Sequence, residues 1–567
     1  TAYEISTRDW SSDVCSSDLS LDIHSLSGNL DHITLSAEDG GVSTLHVNGS
    51  ISVNDVHLYA SGDDYYGGIS YVSLDGSLDA TIKDFTLEAY GGGKVEASLG
   101  DLSISGNLTL IADGYSRDAW TDPSDDPNYS SVELIANISS EEIIHNISVI
   151  ASNDGYASLS LFGDHISMDG DLLVAAYHHG SVDVYIDRPI SMYGGNLSIA
   201  AEGISIAIDS EDLEDVSTDL WAHNNFSLSL SSDSYLNNIN VSQSYLGEAD
   251  VRLSGDYTVL GDINVITYND DGSGWGGGYA SLDLGDGHVQ LMGGDISVGA
   301  SEEERAYLTG NIDGSSVGNI FVIASDMEGY ASANLSGSFE VINDVTVLAD
   351  SVPYPYEPYY YDIFYPTEDI SSFSTLTGDV DGSSFNNLDI VSVFDGHAEV
   401  NLTGNVTLAG TISVKALDTA LVSSFDSNIY QYDVSTDPSF SPSTYVAFDH
   451  INFDGANLLI DKAGSSADLH LIIHDASGTL NDLELRAESG AHLSYYLPDN
   501  VSIMSGDLNV RAVADNHYFC SDVHFTNISF DASLANSYIH SIDIEARSEE
   551  HTSELQSRVD ISYAVFC

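Results

Sequence analysis

The sequence predicts an all-β chain wound as a right-handed parallel β-helix, a β-solenoid with coils of about 25 residues and three short strands per coil. Three observations predict it. Apolar residues recur with a period of two, glycine-opened segments repeat along the chain, and the repeats return at a 25-residue spacing.

The alternation is clearest at Val95, Ala97 and Leu99, then Leu102 and Ile104, then Leu108 and Leu110, with polar residues between. That is the period of a strand with one buried face, not the 3.6 of a helix. Four segments share one pattern: Gly155 YASLSLFG, Gly278 YASLDLGD, Gly329 YASANLSG and Gly396 HAEVNLTG. A longer pair, Leu308–Ala349 and Leu376–Ala416, aligns with a one-residue indel and reads as two copies of one unit. Gly68 to Gly93 and Gly155 to Gly180 are each 25 residues, and each interval holds three short runs. Gly, Asn and Asp punctuate the runs, where turns need positive φ. Ala112, Ala151, Ala201, Ala349 and Ala416 fall at comparable positions and predict a narrow interior. Each such coil has an apolar face it cannot bury alone, so coils must stack. An all-β sandwich array would also alternate, but it predicts hairpins and periods of about 100 residues.

Three segments break the pattern: 115–131, 350–372 and 425–445, all rich in Pro, Tyr, Asp and Ser. Proline donates no ladder hydrogen bond, so they are expected to project from corners as loops. Ser210 to Tyr245 is a weaker irregular zone, and no domain boundary is evident within 20–546. The ends read differently. Asp9–Leu19 (DWSSDVCSSDL) and Arg547–Ser557 (RSEEHTSELQS) resemble translated sequencing-library adapter, encodable by opposite strands of one oligonucleotide. Residues 1–19 and 547–567 are therefore expected to be adapter-derived, and 20–546 an open fragment of the natural chain.

The 567 residues carry 13 Lys+Arg against 89 Asp+Glu, a formal charge of −76. Within 20–546 ten basic and 81 acidic residues remain, about −71. Nucleic-acid binding is excluded, because neutralising phosphates takes a basic face. Hydrophobic content of 42% and aromatic content of 10% supply a large core. Cys520 alone lies within 20–546, which excludes an internal disulfide or a CxxC metal site. No run of 18 apolar residues appears.

Candidate ligand-binding residues are Tyr354, Tyr356, Tyr359, Tyr360, Tyr361 and Tyr365 in the second insertion, together with Trp120 and Trp275. A tyrosine offers a flat apolar face and a polar tip, suited to stacking on a sugar or anchoring a protein. The alternative is that these rings cap the solenoid flank. Acidic turns supply the metal candidates: Asp270 and Asp271 before Gly272, and Asp379 and Asp381 before Gly382. Ca²⁺ takes six to eight oxygens, but no EF-hand loop is completed, and Asp-Gly is also simply a good turn. Asp283 with Asp286, and Asp122 with Asp125 and Asp126, are weaker versions. Calcium is expected, if anywhere, as a structural counterion to the whole acidic stack, since coils a strand apart lie within one Debye length of about 8 Å. No catalytic motif is present: the ten basic residues look scattered, and His178-His179 is a lone pair. Thirteen N-x-S/T sequons, including Asn107, Asn196, Asn334, Asn401 and Asn405, follow largely from Asn at turns before alternating Ser or Thr.

With GNLTLIA, GNLSIAA and GNVTLAG in view, the segment 20–546 resembles the passenger regions of large bacterial surface adhesins of the autotransporter and filamentous-haemagglutinin type. The resemblance is compositional and periodic. It implies a secreted or cell-surface acidic rod that displays binding loops, with a glycan or protein on another cell or surface as partner. Two other classes compete: a carbohydrate-active β-helix enzyme, either polysaccharide lyase or glycoside hydrolase, and a surface-layer glycoprotein of a salt-adapted cell.

Overall fold

The computed structural model describes residues 18–62, 69–114, 130–138, 143–153, 155–163, 166–178, 180–186, 189–202, 222–244, 247–268, 279–285, 287–301, 304–325, 329–350, 372–393, 396–417, 442–463, 467–488, 491–498, 500–504, 506–514, 526–532 and 537–548. Among these the secondary structure is all strand, with no helix and with parallel strands in large sheets. The chain divides into two compact units, Thr1–Val289 and Gln290–Cys567.

In the first unit successive strands fall, in rotation, into three parallel stacks. The first includes Tyr71–Gly76, the opening of Lys94–Ile104, Ser131–Ile138, Tyr156–Phe162 and Ser181–Ile186, with Lys94, Ser131, Tyr156 and Ser181 in register. The third holds the short strands, such as Ile166–Met168 on Ile190–Met192. The second carries a long apolar row: Leu87, Leu110, Val149, Val174, Ile199, Val241 and Val265 pair strand upon strand, and all are buried. Parallel pairing puts identical positions directly above one another, so alternation within each strand becomes continuous apolar rows between strands. Val95, Ala97, Leu99, Leu102, Ile104, Leu108 and Leu110, the residues that set the period, are each at most 7% exposed.

The second unit is organised alike. Arg305–Asn311, Tyr330–Ser336, Phe373–Asp379 and the opening of His397–Leu408 form its first stack. Ile296–Ser301, Ile320–Ser325, the end of Glu340–Asp350, the end of Ser383–Val393 and Thr411–Leu417 form its second. Many side-chain bonds between neighbouring strands link residues 24 or 25 apart, such as Asn319 to Asp295 and Asp507 to Asp482.

The second stack of each unit ends in a row of small residues: Ala60, Ala89, Ala112, Ala151, Ala176 and Ala201 in the first, Ala300, Ala324 and Ala349 in the second. Here the structure supplies a reason the sequence did not. A Cβ on Gly155 would lie 2.1 Å from the Ala112 carbonyl oxygen, on Gly180 2.3 Å from that of Ala151, and on Gly396 2.2 Å from that of Ala349. The repeat-opening glycines Gly155, Gly329 and Gly396 are absent from the positive-φ residues; positive φ is carried by the closing glycines Gly163, Gly285, Gly337 and Gly404. Opening glycines are thus required by close backbone approach, and closing ones by a left-handed turn. Where the corner is not glycine, buried serine fills it: the Ser130 hydroxyl donates to the Asp113 carbonyl at 2.8 Å and accepts from the Gly92 N–H at 3.0 Å.

Most of the longer segments outside the described ranges lie between the same two stacks; 515–525 instead leads to Asn527–Ala532, which pairs with His492–Leu497 in a separate two-stranded sheet. In the first unit 63–68, 115–129, 203–221 and 269–278 each join the end of a second-stack strand to the start of a first-stack strand; in the second, 351–371 and 418–441 do the same. The outermost residues of the three expected loops are strand: Ser131, Asp350, and Ser443 to Tyr445. Strand also continues into the adapter-like ends, at Asp18 and Leu19 and at Arg547 and Ser548.

Candidate functional site

Tyr354, Tyr356, Tyr359, Tyr360, Tyr361, Tyr365, Trp120, Trp275, Asp270 and Asp271 lie outside the described residues, as does His179. Asp379 ends the strand Phe373–Asp379, and its carbonyl accepts the Gly337 N–H at 2.9 Å. Asp381 sits in the following turn, where its Oδ1 accepts both the backbone and side-chain N–H of Asn405. Those bonds hold its carboxyl below the usual aspartate range. Its carboxylate therefore ties this turn to Asn405, in the strand His397–Leu408. Among the described residues no group of three or more His, Cys, Asp or Glu gathers to hold a metal ion.

The most extended polar feature is an amide ladder on the outside of the first unit, at the start of the second-stack strands. Asn107 Nδ2 donates to Asp84 Oδ1 at 2.9 Å, and Asn146 Nδ2 to Asn107 Oδ1 at 2.8 Å. The Asp171 N–H donates to Asn146 Oδ1 at 2.8 Å, and Asn196 donates both N–H and Nδ2 to Asp171 Oδ1. Asn238 Nδ2 donates to Asn196 Oδ1 at 2.8 Å, and the Asp262 N–H to Asn238 Oδ1 at 2.9 Å. Two residues further along each strand runs a second outward row, Thr109, Ser148, Leu173, Ser198 and Asn240, in parallel register. Between the rows lies an open groove of about 550 Å³. The motifs GNLTLIA and GNLSIAA encode it: Asn makes the ladder, Leu points inward, and Thr or Ser points outward. What the sequence concealed was that Asn146, Asp171 and Asn238 join the same ladder, since intervals of 25, 39 and 42 residues separate consecutive partners.

Two further arrays lie in the second unit. Tyr330, Phe373 and His397 are in register, with ring centroids 6.1 and 4.8 Å apart, and Tyr307 lies 5.5 Å from Tyr330. Tyr330 and His397 follow the opening glycines of two repeats, the signal that would have located them. Phe373 and His397 stack, while the Tyr307–Tyr330 and Tyr330–Phe373 pairs are tilted. The other array corrects the reading of scattered basic residues. Lys415, Asp461, Arg486, Arg511 and Glu545 occupy one register column, with Arg486 3.8 Å from Asp461 and 2.7 Å from Glu488. Burial raises the Asp461 carboxyl and lowers the neighbouring Lys462 ammonium.

No protein-family model matches the chain, and searches of curated proteins and of solved structures find no match.

Proposed function

We propose that the chain is a right-handed parallel β-helix, a β-solenoid of three-stranded coils, and that it is part of a secreted or cell-surface adhesin of the autotransporter or filamentous-haemagglutinin type. In this reading it is an acidic structural rod whose loops meet a glycan or protein on another cell or surface. One observation carries the proposal. The strands flanking the expected insertions 115–131, 350–372 and 425–445 belong to the same two stacks, so within each unit the Tyr-, Trp- and Pro-rich segments are rooted along one edge while the apolar rows stay unbroken. A scaffold whose core is indifferent to loop length and whose loops share an edge suits multivalent display. A catalytic reading would need convergent groups around a reacting atom, and the charged column instead reads as paired ions along a stack.

The test is to replace 351–371 with a short Gly-Ser linker and coat beads with each protein. The expected result is reduced adhesion to cultured cells, with an unchanged circular dichroism spectrum and unfolding midpoint. Adhesion equal to that of the intact chain would overturn the display role. Small-angle scattering whose cross-section does not match a single β-helix would overturn the fold proposal.

A further inference from the structure

We infer that the groove beside the amide ladder of the first unit binds an uncharged, extended polysaccharide lying along the stack. The inference rests on the adhesive reading above and gives it a partner class and a place outside the loops.

Thr109, Ser148, Leu173, Ser198 and Asn240 stand in one row on five successive rungs. At about 4.8 Å per rung that row runs about 19 Å, and the rung spacing is comparable with the length of one pyranose residue in an extended chain. The groove's volume of about 550 Å³ falls within the range of ordinary ligand sites. Its chemistry combines polar groups with one apolar surface, as a sugar does. Leu173 presents an apolar surface for the CH face of a ring, and the Ser148 and Ser198 hydroxyls on the adjacent rungs meet the hydroxyl edges. On the other wall, each ladder amide spends one hydrogen and one lone pair on its neighbours, and a primary amide has a second of each to offer.

Charge selects among polysaccharides. Among the described residues no Lys or Arg lines the groove, Asp171 does, and the chain carries a formal charge of −76. An acidic glycan would be repelled and would find no cation to pair with. A neutral glycan pays no such penalty.

The experiment measures binding of cellohexaose and laminarihexaose, with oligogalacturonate as the acidic counterpart, by isothermal titration against the full chain. Ser148→Trp and Ser198→Trp are each made to fill the groove from an outward strand position where an aromatic side chain is well tolerated. At least one neutral hexaose is expected to bind, both variants to weaken it at least tenfold, and oligogalacturonate to stay unbound. Circular dichroism and the unfolding midpoint of each variant report its fold, and a variant that misfolds is set aside for the other. No binding of either neutral hexaose, equal binding by a folded variant, or binding of the acidic oligomer would each overturn the inference. Bead adhesion run in parallel separates the two proposals: adhesion without hexaose binding sinks the groove and leaves the adhesive reading standing.

Discussion

Replacing Gly396 with alanine tests the corner geometry directly, because the cause of its cost lies in the strand beneath. The new Cβ would sit 2.2 Å from the Ala349 carbonyl oxygen and 2.9 Å from that of Val393, and real Cβ contacts do not fall below 3.0 Å. The corner must therefore open by most of an ångström. The bonds that hold it, His397 N–H to the Ser372 carbonyl at 2.7 Å and Ser443 N–H to the Gly396 carbonyl at 2.9 Å, are in the path of that movement. Overpacking of this kind costs about 1–3 kcal/mol. The reduced freedom of alanine in the unfolded chain returns about 0.4–1 kcal/mol of that. Gly299 is the control. It lies in the strand Ile296–Ser301 with nothing within 4 Å of an added Cβ, so Gly299→Ala is expected to stabilise by about 0.5–1 kcal/mol. Urea unfolding of both variants beside the parent checks the opposite signs. If both move the midpoint the same way, or Gly396→Ala leaves it unchanged, the steric account of the opening glycines is wrong.

Five further outcomes are expected. Phe85, fully buried in the second stack, is expected to cost about 3–5 kcal/mol as Phe85→Ala in the same assay. Asn196→Ala removes the bonds to Asp171 and from Asn238 and should cost about 1–2 kcal/mol, whereas a surface Ser→Ala elsewhere should cost almost nothing. Asp233 accepts hydrogen bonds from Ser231, Tyr193 and Ser191, which pull its carboxyl down to about 2. Its contribution is present above the ordinary aspartate range and lost as pH falls toward that value, so Asp233→Asn should destabilise at pH 7 and converge with the parent in acid. Asp461 is the reverse: burial raises its carboxyl, and its Oδ1 makes no hydrogen bond to a described residue. Its favourable state is the protonated one, so stability from this group is lost as pH rises through its folded pKa, and Asp461→Asn should raise the unfolding midpoint at pH 7 but not at pH 3. Finally, if calcium acts as counterion to the acidic stack, chelator in low salt should lower the midpoint; an unchanged midpoint removes that role.

Much of the core was legible because a parallel stack turns a period of two into buried rows: Val95, Ala97, Leu99, Leu102, Ile104, Leu108 and Leu110 are all buried. The small positions Ala112, Ala151 and Ala349 were legible for the same reason. The meaning of glycine was only half visible. Gly163 and Gly404 do take positive φ, but Gly155 and Gly396 answer to a carbonyl in another strand, and no local rule sees a residue that distant in sequence. The site was harder still. Asn107 and Asn146 are 39 residues apart, and Lys415 and Asp461 share a register column across an intervening 418–441, so insertion lengths hid both arrays. The tyrosines of 350–372 stood out by composition, and the polar row over Leu173 did not, because Thr, Ser and Asn on a strand look like ordinary solvated residues.

The shared rooting of the insertions has a consequence for how such a chain can change. Asn107 meets Asn146 after 39 residues, Asn196 meets Asn238 after 42, and Asp171 meets Asn196 after 25, yet each pair lands on the same hydrogen-bonding geometry. The junction between second-stack and first-stack strands behaves as a port that takes segments of different length without re-indexing the paired positions on either side. Variation in what the surface offers is thereby uncoupled from the burden of keeping the interior in step, and a lineage under pressure to alter its exterior could do so one rung at a time.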